Sequence, residues 1–152
     1  METIEPILAA QPFCRGLEAR HLKDLTACAA KVNFEAGQFL CRAAEEAARF
    51  YLILSGRVSV EIFSARRGPV TLQTLGAGEV LGWLWFDEKP YHWHLDARAV
   101  GLTRALSLEV SCLRAKCEAD HDLGYELMKR YAHSLAVAFR TSSLQLTDMF
   151  QA

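Results

Sequence analysis

The stretch Phe50-Tyr51-Leu52-Ile53-Leu54-Ser55-Gly56-Arg57-Val58-Ser59-Val60 decides the fold. Its first half is a continuous apolar run. Ser55-Gly56 breaks that run, and beyond the break Val58, Val60 and Ile62 alternate with Arg57, Ser59 and Glu61, the pattern of a strand with one buried face. Working outward, Ser64 to Pro69 reads as the tip of a hairpin whose return strand runs from Val70 to Leu75. On the other side, Glu35-Ala36-Gly37 is a turn between Phe34 and Phe39. Further on, Trp93, Leu95, Ala97 and Ala99 alternate with His92, His94, Asp96 and Arg98, and another strand spans about Thr103 to Leu108. The spacing of short apolar runs and turn residues predicts a compact all-β unit from about 34 to 108.

The flanks read as helical. Leu17, His21, Leu22, Leu25 and Cys28 recur at three- and four-residue steps and predict one short amphipathic helix over about 18–29. Ser111 is the expected N-cap of a short helix through Cys117, and Asp120 or Asp122 that of a longer one over about 121–150. In the longer helix Leu123, Leu127, Tyr131, Leu135 and Phe139 recur every four residues, followed by Leu144, Leu146, Met149 and Phe150. At 1.5 Å per residue some 25 residues of such a helix span nearly 40 Å, more than the β unit can cover, so part of its apolar stripe is expected to meet a second copy of the chain in a homodimer.

Composition bounds the rest. A length of 152 residues fits one domain, and 51% hydrophobic with 23% charged residues is an ordinary globular balance. Seventeen Lys and Arg against eighteen Asp and Glu leave a formal charge of −1, so no global basic field exists to hold nucleic acid. No basic segment precedes an apolar run at the N-terminus, and no window approaches a membrane span; the expectation is a cytoplasmic protein without membrane contact. Cys14, Cys28, Cys41, Cys112 and Cys117 are odd in number and form no CxxC pair, and all five are expected to be buried reduced thiols.

Three motifs stand in one order: Phe34-Glu35-Ala36-Gly37-Gln38-Phe39, the Phe50–Val60 stretch, and Gly78-Glu79-Val80-Leu81-Gly82. Together with the short helix before them and the helix pair after, they resemble the cyclic-nucleotide-binding domain over about residues 8–150. The resemblance implies a double-stranded β-helix, or jelly roll, of about eight antiparallel strands with a short N-terminal helix and a C-terminal helix pair. It also implies a ligand cassette. In the family a Glu follows the last glycine of the third motif and holds the ribose hydroxyl, and an Arg-Ser or Arg-Ala pair further on meets the cyclic phosphate. Here Trp83 follows Gly82, and the Arg-Ser pair falls at Trp93-His94. A buried monoanion needs a charge partner, which arginine supplies with two parallel donors, whereas indole offers one N–H and no charge. A residual anion site at the glycine-led segment would draw its charge from His92, His94 or Arg98, but alternation puts these opposite Trp93.

The expected ligand-contacting residues are therefore Gly82, Trp83, Leu84, Trp85, Trp93 and His94, around a pocket that either accepts a flat or apolar small molecule or is filled by its own tryptophans. No cofactor is expected beyond a cyclic nucleotide or another small molecule in that pocket. His92-x-His94-x-Asp96 has the look of a cupin metal strand, but the later histidines, His121 and His133, lie in the helical tail, so a solvated polar strand is the preferred reading. Arg66-Arg67 and Lys129-Arg130 read as solvated surface charge. No nucleophile has a neighbouring base, so no enzyme is expected. The expected function is that of a dimeric regulatory domain that signals through its C-terminal helix to a protein partner. The alternatives are a catabolite-activator-type transcription regulator, which needs a helix-turn-helix after the last helix, where the sequence ends at Ala152, and a cupin-like metal enzyme.

Overall fold

The computed structural model describes residues 3–82 and 91–151. Two short N-terminal helices, α1 (Ile4–Ala9) and α2 (Ala19–Ala27), flank a single 3₁₀ turn at Pro12–Cys14. Eight strands follow among the described residues: β1 (Ala29–Phe34), β2 (Phe39–Cys41), β3 (Arg49–Ser55), β4 (Val58–Ser64), β5 (Gly68–Leu75), β6 (Val80–Leu81), β7 (Asp96–Ala99) and β8 (Thr103–Glu109). Helices α3 (Val110–Ala119) and α4 (His121–Gln151) close the chain. The strands form two four-stranded antiparallel sheets, β1-β8-β3-β6 and β2-β7-β4-β5, which face one another as a jelly roll.

The Phe50–Val60 stretch is the corner between the sheets. Phe50 and Leu52 point into a core shared with the helices, whereas Ile53 lies in the roll interior and Tyr51 packs against it. The apolar run is continuous because β3 is covered on both faces. Past the corner Val58 and Val60 join the roll interior, while Ser59 and Glu61 lie on the other face and are buried as well, Ser59 against the Thr71 hydroxyl and Glu61 under the Arg98 guanidinium, so the alternation separates apolar from polar partners. Gly56 makes the corner with φ +91°, and a Cβ there would lie 2.5 Å from the Leu102 carbonyl oxygen. No other residue fits.

Several boundaries differ from the sequence reading. The first helix stops at Ala27 and the next residues, Ala29 to Phe34, pair with β8, so the roll begins five residues earlier than expected. Two alanines open that strand, and its long-range partner overrides their helical propensity. The strand expected from His92 is regular only from Asp96, yet its pairing continues irregularly: the Trp93 N–H donates to the Glu45 carbonyl (2.8 Å) and the Ala44 N–H to the Trp93 carbonyl (2.7 Å). At α3, Glu109 rather than Ser111 occupies the N-cap, and the Ser111 hydroxyl donates to the Glu109 carboxylate at 2.8 Å. Asp120 does cap α4, its Oδ1 accepting the N–H groups of Asp122 and Leu123. Not all cysteines are free: Cys28, the C-cap of α2, is disulfide-bonded to Cys112 in the first turn of α3. Local spacing could not reveal that pairing, because 84 residues of roll separate two sulfurs that folding brings together.

Candidate functional site

The glycine-flanked segment is held by β3. The Gly78 N–H donates to the Ile53 carbonyl (2.7 Å) and the Ile53 N–H to the Glu79 carbonyl (3.0 Å), and β6 pairs with Tyr51 and Leu52. Gly78 (φ +86°) and Gly82 (φ +110°) lie in the left-handed region that favours glycine. At Gly82 a Cβ would fall 2.8 Å from the Phe50 Cβ and 3.0 Å from the Trp93 Cη2 atom. The segment therefore leaves the sheet through a gap that Phe50 and the Trp93 indole have narrowed to backbone width.

Of the expected ligand-contacting residues, Gly82, Trp93 and His94 are described; Trp83, Leu84 and Trp85 lie outside the described residues. Trp93 is 9% exposed and belongs to the roll's inner core with Leu40, Leu81 and Leu95. His94 is exposed, its Nδ1 3.2 Å from the Tyr91 hydroxyl. Alternation keeps the polar residues of this strand off the indole's face. The Arg98 guanidinium donates to the buried Glu61 carboxylate at 2.9 Å, and Asp96 accepts the Ala43 N–H at 2.7 Å. Among the described residues no three His, Cys, Asp or Glu side chains converge as a metal site. Burial pushes the Cys41 thiol up to about 12 and the Cys14 and Cys117 thiols up to about 11, so all three are protonated near neutrality and poor nucleophiles.

Phe50 links this gap to the C-terminal helix. Its ring meets the buried Tyr131 ring of α4 edge to face, with centroids 5.4 Å apart, and Tyr131 in turn meets Phe13 at 5.1 Å. Immediately before Tyr131, Arg130 corrects the expectation of solvated charge: its side chain is 15% exposed. Its Nε donates to the Phe13 carbonyl (2.6 Å), Nη2 to the Arg15 carbonyl (2.6 Å) and Nη1 to the Glu126 carboxylate (2.6 Å). These carbonyls lie more than 100 positions away in sequence, out of reach of any local pattern. Beside Arg130 opens a cavity of about 720 Å³ between α4 and the roll, which the sequence did not reveal.

The family model for the cyclic nucleotide-binding domain matches residues 31–120. No curated protein matches the chain in sequence. Among solved structures, a cyclic nucleotide-binding domain from Methylobacillus flagellatus superposes with a TM-score of 0.80 at 18% identity, over 97% of this chain and 82% of that one. The sensor domain of the transcriptional regulator DNR from Pseudomonas aeruginosa gives 0.72 at 17% identity, over 91% and 95%. The catabolite activator protein of Thermus thermophilus gives 0.71 at 22% identity, over 91% of this chain and 63% of that one. At these identities the superpositions establish the jelly-roll fold, and they carry no ligand with them.

Proposed function

The chain belongs to the cyclic nucleotide-binding domain family, whose model covers more than half of it, and from that premise we propose that it is a non-catalytic regulatory domain in which cyclic-nucleotide specificity is altered or lost. One observation carries the reading: Trp93, at the position where the family places its phosphate-binding arginine, is packed into the inner core against Gly82. The nearest basic side chain on its strand, Arg98, is committed to Glu61 on the opposite face. A cyclic phosphate entering beside Gly82 meets an uncharged indole, and the loss of a bidentate, charge-assisted pair removes the main source of affinity for a buried monoanion.

The signalling route follows the aromatic contacts. Any occupant beside Gly82 displaces Trp93 or Gly82 itself, and either shift bears on Phe50 and so on Tyr131 of α4. The far end of α4 presents Leu135, Phe139, Leu146 and Phe150, all at least 40% exposed. That stripe supports a homodimer through α4, and the dimer surface is what a protein partner would read. The catabolite-activator-type alternative draws its support from the shared fold. Among the described residues no helix is long and apolar enough to cross a membrane. Within the proposal the protein is cytoplasmic, and the Cys28–Cys112 bridge opposes that placement, since disulfides persist chiefly in oxidising compartments. Alkylation before lysis, followed by mass spectrometry, decides it: both thiols blocked supports the cytoplasm, both protected contradicts it.

Thermal melting with cyclic AMP and cyclic GMP tests the main reading. A ligand at 100 times its Kd stabilises by about 2.7 kcal/mol. The expected result is no shift with either nucleotide at millimolar concentration; a clear shift with either contradicts the altered specificity.

A further inference from the structure

The platform under the buried half of α4 is tied together where two chain junctions meet. Cys28 caps α2 just before β1 begins, and Cys112 lies in the first turn of α3, just after β8 ends. The two strands hold these junctions side by side: Ala29 pairs with Leu108, and the Glu109 N–H donates to the Cys28 carbonyl at 3.0 Å. Backbone pairing therefore keeps the two sulfurs within reach of one another whether or not they are bonded. Their bond ties α2 covalently to α3. Along the same seam Leu25 and Leu113 pack in the shared core, Asp24 meets Lys116 at 3.9 Å, and Arg20 meets Asp120 at 2.7 Å and Asp122 at 3.1 Å. The Lys116 and Arg20 side chains are 39% and 51% exposed, and ion pairs so open to water contribute little. Access to the bridge is unequal: Cys28 is buried and Cys112 half-buried.

We infer that the Cys28–Cys112 bridge is an exchange site for a dithiol reductant, and that its opening and closing set how firmly the α2–α3 platform holds α4. In the opening step a thiolate of the reductant attacks the more accessible Cys112 Sγ; the S–S bond breaks, and its electron pair leaves on the Cys28 Sγ, which takes up a proton. The second thiolate of the reductant then attacks the reductant's own sulfur in the mixed disulfide and releases Cys112, which is protonated in turn. Two protein thiols form as the dithiol becomes a disulfide. Closing reverses the sequence, with a disulfide as the oxidant. Cys14, Cys41 and Cys117 do not compete, because burial keeps their thiols protonated. With the bridge open, Leu123, Leu127 and Tyr131 rest on helices that only packing and exposed ion pairs hold together. The inference rests on the reading of this chain as a regulatory domain that signals through α4, and it gives that helix a redox input.

The test uses the full chain and dithiothreitol, with thiols counted by alkylation and mass spectrometry and the structure followed by amide nuclear magnetic resonance. Opening should be proportional to reductant and, within about twofold, unchanged by ~1 M urea, because the native state is attacked; opening through global unfolding would accelerate about fivefold or more. On opening, amide shifts should change along α2, α3 and Leu123–Tyr131, while β2, β4, β5 and β7 keep theirs. Glutathione disulfide should restore the bridge and the first spectrum. Cys112→Ser should show the spectrum of the opened wild type, and Cys117→Ser should exchange as the wild type does. Acceleration by urea, an unfolded spectrum on reduction, shifts confined to the two cysteines and their neighbours, no re-closure, or altered exchange in Cys117→Ser overturns the inference. A melting shift with cyclic AMP would contradict the altered cassette and leave these results standing, so the two failures are distinguishable.

Discussion

The apolar four-residue spacing of α4 runs from Leu123 through Phe139, across both halves of the helix, and the two halves meet opposite fates. Leu123, Leu127 and Tyr131 are almost completely buried, whereas Leu135, Phe139, Leu144, Leu146, Met149 and Phe150 are 40–87% exposed. The first half lies over a core built by α1, α2, α3 and the outer face of β3 and β8. At about 1.5 Å per residue, the 31-residue helix runs some 46 Å; beyond Tyr131 none of its described apolar side chains is buried, although the Gln145 amide still donates to the Leu72 carbonyl of β5. Periodicity alone reports that a face is apolar; what covers it depends on how far the partner surface reaches.

The largest expected effect concerns the platform under the buried half. The Cys28–Cys112 bridge closes a loop containing the entire roll, and in the chain-entropy model a closure of 84 residues is worth about 4–5 kcal/mol. Cys112→Ser should therefore lower stability by about that amount in denaturant titration. Reductant should destabilise the wild type similarly and leave the variant unchanged; an unaltered midpoint in the variant would mean the bridge does not form.

Next comes a direct contrast between the halves. Leu127→Ala removes a fully buried side chain and should cost about 2–5 kcal/mol. Leu144→Ala, 59% exposed, should stay within about 0.5 kcal/mol at protein concentrations low enough to keep the chain monomeric. Equal losses would erase the distinction.

The contrast also shows what could be read in the sequence. The Phe50–Val60 corner was legible because the residue types record their surroundings: β3 is apolar on both faces, and β4 turns Val58 and Val60 to the roll interior and Ser59 and Glu61 to polar partners. The inward face of Trp93 followed from the same alternation, even though the strand is regular only from Asp96. What stayed hidden depends on distant partners. Ala29-Ala30 form a strand because β8 is there; Cys28 finds Cys112 across the whole roll; Arg130 is buried by carbonyls of Phe13 and Arg15. The cavity beside Arg130 takes Gly78, Glu79 and Val80 from the third motif, but its other walls, Phe13, Arg15 and the middle of α4, are brought there only by tertiary packing.

The smallest expected effect lies where the buried half of α4 ends. The Arg130 guanidinium, hydrogen-bonded to Glu126, holds that carboxyl below the usual carboxylate range, with Lys129 adding to it. A carboxyl depressed in the folded state stabilises above its unfolded pKa, about 4.3, and loses that contribution as pH falls through the lower folded value. The difference in melting temperature between wild type and Glu126→Gln should be constant from pH 7 to 6 and shrink below the ordinary carboxylate range. A difference that grows on acidification contradicts the assignment.

The account rests on α4 being a shared element, fixed to its own roll at one end and to a second copy at the other. Sedimentation equilibrium of the wild type beside Phe139→Asp tests this directly. The account predicts twice the mass of the chain for the wild type and the single-chain mass for the variant, with the variant's helix content by circular dichroism retained. A wild type that sediments as a single chain at high micromolar concentration, or a variant that remains dimeric, would contradict it.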